Sequence, residues 1–86
     1  MDKNKYFRTN NFYLGCFLFA KGLELVSIDR TDPKKCVFVF ADTPLRELFV
    51  GVFNYGREND PEIQVDARTL ILAIKTLKDK LYQSEL

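Results

Sequence analysis

Apolar positions along the chain come in blocks, and the spacing within each block predicts an element. Tyr6-Phe7-Arg8-Thr9 is short and β-prone, a candidate strand for a sheet edge. Asn10 and Asn11 follow, and either can cap a helix by accepting amide hydrogens from its first turn. Phe12, Tyr13, Leu14, Cys16, Phe17, Leu18, Phe19 and Ala20 then crowd one stretch, predicting a helix from Phe12 to about Lys21. Gly22 supplies the left-handed residue that stops it. A helix apolar on nearly all sides has to be buried on nearly all sides. In a chain this short, the expectation is that a second chain helps to cover it.

Leu23–Arg30 and Cys36–Ala41 read as strands. In the second, Cys36, Phe38 and Phe40 alternate with Val37, Val39 and Ala41, so both faces are apolar and both call for cover. Thr31-Asp32-Pro33-Lys34-Lys35 between them has turn chemistry, with Pro33 presetting its own backbone angle, and predicts a β-hairpin. Thr43-Pro44 opens the next helix, where Leu45, Leu48, Phe49, Val52 and Phe53 recur at the spacing of one buried face. Gly51 weakens that helix and lets another backbone come close, and Gly56 ends it. Asp66 caps the last helix, whose stripe is Leu70, Ile74, Leu77 and Leu81. Ile71 and Leu72 widen its apolar surface. The order βαββαα predicts an α+β domain: three helices packed on a small antiparallel sheet with a central hairpin.

Composition narrows the function classes. Eighty-six residues fit a single domain over 1–86, with residues 1–5 expected to be flexible. Hydrophobic residues at 47% and charged residues at 29% argue against a disordered chain. The net charge of +1 is low for a dedicated nucleic-acid binder. Histidine is absent, which removes the commonest acid–base residue and metal ligand. Cys16 and Cys36 form no C-x-x-C pair and read as reduced, buried thiols. The opening Met1-Asp2-Lys3-Asn4-Lys5 has no apolar signal core. Phe12–Ala20 is about half the length a membrane span needs. A cytoplasmic protein with no membrane association is expected.

Phe7-Arg8-Thr9, Phe12-Tyr13-Leu14 and Phe17-Leu18-Phe19-Ala20-Lys21-Gly22 resemble the opening of a family of short bacterial and phage proteins. That family is known only as a domain of unknown function, with the pattern F-x-T-x-D-x-x-L-A-x-x-L-x-x-x-G. Val37-Phe38-Val39-Phe40-Ala41-Asp42 and Val65-Asp66-Ala67-Arg68 agree as well. The chain departs at Asn11, where the family tends to Asp, and at Gly15, where it tends to Ala. The resemblance implies the fold and a phage or mobile-element context, without an activity.

Candidate chemistry is sparse. The chain has no nucleophile elbow, Walker loop, dinucleotide fingerprint or H-E-x-x-H. No catalytic residue, cofactor or metal is expected, and Glu58, Asp60 and Glu62 read as a solvated acidic loop. Basic residues gather as Lys3, Lys5 and Arg8; Arg30, Lys34 and Lys35; and Lys75, Lys78 and Lys80. If the first strand lies beside the hairpin, Arg8, Arg30, Lys34 and Lys35 make a candidate nucleic-acid patch, with Tyr6 and Phe7 as stacking surfaces. The apolar surplus gives the other candidate: Phe12, Phe17, Phe19, Val37 and Val39 as an interface with a second copy or a protein partner. The leading expectation is a non-enzymatic accessory protein, homodimeric or docked on a protein. The alternative is a nucleic-acid-binding accessory protein using the basic hairpin tip.

Overall fold

In the computed structural model, residues 5–32 and 34–82 are described. Pro33 and the first four residues, which include Lys3, lie outside them. The chain runs β1 (Tyr6–Thr9), α1 (Phe12–Ala20), β2 (Leu25–Asp29), β3 (Val37–Ala41), α2 (Pro44–Tyr55) and α3 (Ala67–Tyr82). This is the expected α+β order.

Helix α1 is closed at both ends by the residues the sequence points to. Asn11 Oδ1 accepts from the amides of Tyr13 and Leu14, both at 3.1 Å. At the other end Gly22 takes φ +100°. Its N–H reaches Phe19 O, and the Leu23 N–H reaches Leu18 O, the paired bonds of a Schellman stop. Leu23 is thereby turned into the core instead of starting β2.

The sheet has order β1-β3-β2, antiparallel throughout. The register sets Phe7 and Leu25 on either side of Phe40, and Ile28 beside Phe38. These side chains share the face that meets α1. The approach is close because Gly15 has no side chain: a Cβ there would lie 3.3 Å from the Phe38 ring and 3.5 Å from Leu77. On the opposite face Tyr6, Arg8 and Ser27 are exposed. Val39 sits between Arg8 and Ser27, with Val37 beside Asp29. The Arg8 guanidinium pairs with Asp29 across β3, joining the two edge strands. Val39 is only 5% exposed under that polar cover.

Helix α1 lies between the sheet and both other helices. Phe17 meets Phe49 and Phe53 of α2, with ring centroids 6.3 and 5.4 Å apart. Leu14, Gly15, Cys16, Phe17 and Leu18 are buried in succession, around the whole helix. The expectation that α1 needs a second chain for cover is therefore corrected. Its own sheet, α2 and α3 bury these five positions, while Tyr13 before them stays 68% exposed.

Helix α2 departs from its predicted face. Phe49 is buried and Val50, Val52 and Phe53 are half-buried against the core, while Leu45 and Leu48 point outward. The inner arc is Arg46, Phe49, Val50 and Phe53. Arg46 earns its place there by two contacts. Its Nε lies 2.9 Å from Asp42 Oδ1, one turn earlier, and its guanidinium stacks 4.6 Å from the Phe7 ring. Thr43, the expected cap, makes no side-chain capping bond, and Pro44 sits in the first helical turn.

Candidate interaction surface

The chemistry-bearing residues are best sorted by what already holds them. The four basic candidates do not act alike. Arg8 is paired with Asp29 on the outer sheet face. Arg30 donates to the backbone carbonyl of Lys80, tying the end of β2 to the last turn of α3. Lys34 and Lys35 are exposed at the hairpin tip. There they line a shallow depression with Asn10, Phe12, Cys36, Phe38 and Leu81. The antiparallel register carries Lys5 to the far end of the sheet, where its carbonyl accepts from the Asp42 amide at 2.7 Å. Lys5 and the hairpin-tip lysines therefore lie at opposite ends of the sheet. Phe7 is taken up by Arg46, and the aromatic ring at the hairpin tip is Phe12.

Local electrostatics follow these contacts. Asp29 accepts from the Thr31 hydroxyl at 2.6 Å and the Thr31 amide at 2.9 Å. Those bonds, with Arg8 added, hold its carboxyl below the usual range. The hydrogen bond from Arg46 does the same for Asp42. Burial pushes the Cys16 thiol up to about 11, slightly offset by Lys78. Cys36 is half-buried, and both cysteines are free. Among the described residues no group of three or more His, Cys, Asp or Glu could hold a metal ion, and no helix is long and apolar enough to cross a membrane.

None of the five apolar interface candidates is fully exposed. Phe17 and Val39 are buried, and Phe12, Phe19 and Val37 are half-buried. The exposed apolar side chains lie elsewhere. Leu45 (54% exposed), Leu48 (44%) and Tyr55 (86%) join half-buried Val52 in a stripe along α2. Their 3-4-3 spacing is that of a helix–helix seam. Gly51 lies between Leu48 and Val52, and a Cβ there would meet nothing within 4 Å. On α3, Ile71 and Leu72 stand out between Arg68 and Lys75, and the four line one depression. The widened stripe of α3 was visible in its sequence; that its extra residues face outward was not. Lys21 was missed as well. Its Nζ donates to Gln64 O at 3.3 Å and sits 5.1 Å from the Phe49 ring, pinning the loop before α3 to the end of α1.

No curated protein and no solved structure matches the chain. A family profile matches residues 4–83, nearly the whole length, and includes every element described above. The chain belongs to the family described as a domain of unknown function, DUF5659.

Proposed function

We propose that the protein is a small, non-catalytic interaction module that pairs with a second copy of itself through the outer stripe of α2. In this reading it acts in the cytoplasm as an accessory protein of phage or mobile-element type, the setting implied by the resemblance of its opening segment. The exposed side chains Leu45, Leu48 and Tyr55, with Val52 at their border with the core, are the observation that carries the pairing. Gly51 supports it. A mid-helix glycine costs roughly 0.5–1 kcal/mol relative to alanine. Within its own chain Gly51 makes room for nothing. A second helix laid against this stripe would use that room.

Symmetry gives the pairing a register. An antiparallel two-fold arrangement centred between Gly51 and Val52 sets Leu48 opposite Tyr55 of the second copy and Glu47 opposite its Gly56, beside Arg57. Opposed helix dipoles favour the same direction. The test is sedimentation equilibrium of the wild type, of Leu48→Glu and of a charge-swap set. Leu48→Glu should give a single-chain mass. Glu47→Arg and Arg57→Glu should each weaken pairing, and the two together should restore it. A wild type that stays single-chain at high concentration contradicts the pairing.

One observation favours nucleic acid as a second reading: Lys34, Lys35 and Phe12 share the hairpin-tip depression. Fluorescence anisotropy with labelled single-stranded DNA, duplex DNA and RNA tests it. Salt-sensitive binding lost on Lys34→Glu/Lys35→Glu supports this reading. No binding at low salt removes it.

A further inference from the structure

We infer that the outer face of α3 is a docking surface for an acidic, amphipathic helical segment of another protein. It uses different side chains from the α2 pairing, and either can fail without the other.

Arg68, Ile71, Leu72 and Lys75 follow the i, i+3, i+4, i+7 spacing and line one depression. Ile71 is 57% and Leu72 64% exposed. They are not the rim of the core. The arc that α3 turns inward is Leu70, Ala73, Ile74, Leu77 and Leu81, on the other side of the helix. Helix α3 thus carries two apolar arcs, and the fold covers one.

Charge says what kind of segment fits the other. Arg8 and Arg46 have carboxylate partners, and Arg30 is tied to a carbonyl. Arg68 and Lys75 have no such partner among the described residues. They bracket the apolar pair about 10 Å apart along the helix axis. Two apolar anchors framed by carboxylates at similar spacing would satisfy both features, as in helix-in-groove recognition. Asp79, one turn beyond Lys75, lies between Lys78 and Lys80, so that end of the helix stays net cationic. A membrane-surface helix would need a broader apolar arc than this face provides.

The test is selection of a displayed library of random 16-residue peptides on the full chain, with counter-selection on the Arg68→Glu/Lys75→Glu protein. Enriched peptides should carry Asp or Glu around Leu, Ile or Phe at helical spacing. Synthesised, they should bind the wild type in a salt-sensitive way. Affinity should fall about tenfold for Arg68→Glu/Lys75→Glu, and binding should be lost for Ile71→Ser/Leu72→Ser. Lys34→Glu should leave it unchanged. Thermal melts by circular dichroism confirm that each variant is folded. The inference is overturned by no enrichment, by peptides lacking acidic residues, or by affinity indifferent to the α3 substitutions. It is also overturned if the wild type binds vesicles of three parts phosphatidylcholine to one part phosphatidylglycerol through the same residues and selects no peptide.

Discussion

Helices α1 and α2 each carry more apolar side chains than one face can hold, and they dispose of the excess in opposite ways. Helix α1 lies between the sheet and two helices, and buries five consecutive residues within its own chain. Helix α2 meets the rest of the fold along one arc and leaves a second arc in solvent. An apolar surplus in a sequence therefore does not mark an interface by itself. In the pairing proposed above, the interface is the surplus on an element that the fold covers from one side only.

Removing apolar bulk from each helix should show this difference most strongly. Leu18→Ala in α1 should cost about 2–5 kcal/mol, since a fully buried leucine leaves a cavity. Leu48→Ala in α2 should cost under about 1 kcal/mol in the unpaired chain. Urea unfolding at low protein concentration measures both. Equal losses would mean that Leu48 is a core residue.

The two glycines sharpen the contrast by responding in opposite directions. Gly15→Leu should destabilise by about 1–3 kcal/mol, because Phe38 and Leu77 occupy the space. Gly51→Ala should stabilise the unpaired chain by about 0.5–1 kcal/mol, because nothing lies in the way. In the paired state the same methyl group should weaken association. Thermal melts at low and high protein concentration separate these effects.

The thiols report on the same layering without any mutation. Cys16, inside α1 and with its pKa pushed up to about 11, should resist a thiol reagent at pH 8 until the chain unfolds. Cys36 should react in the folded protein. Fast labelling of both would show that the α1 layer opens readily.

The smallest effect lies in the ion pairs at the sheet and at the start of α2. Asp29 and Asp42 have folded-state pKa values below their unfolded ones. They contribute stability above the unfolded carboxyl range, near pH 4, and lose it as pH falls through the folded values. Denaturation midpoints should drop below about pH 4 in the wild type and drop less in Asp29→Asn/Asp42→Asn. Parallel profiles would mean that these bonds do not persist in solution.

Where an element was set by local chemistry, it was legible in the sequence. Asn11 and Gly22 bound α1 by capping and backbone rules that act over a few residues. The hairpin and the buried stripe of α3 follow from alternation and helical period. The phase of α2 was not legible, because apolar residues fill two neighbouring arcs and either could have turned inward. A polar residue decides between them: Arg46 satisfies itself on Asp42 and Phe7 and brings the arc of Phe49 and Phe53 with it. The surface chemistry was least legible. Pairing Arg8 with Asp29, and Arg30 with the end of α3, depends on a register between segments far apart in the chain. Those partners left only Lys34 and Lys35 of the basic candidates at the hairpin tip.

A second copy covering the outer arc of α2 would double the mass of the chain in solution. The most direct measurement is sedimentation equilibrium of the wild type beside Leu48→Glu, from low to high micromolar concentration. The wild type should rise to twice the chain mass of 10.0 kDa while the variant stays at one chain with an unchanged circular dichroism spectrum. A wild type that remains at one chain mass throughout, or a variant that pairs as well as the wild type, contradicts this pairing.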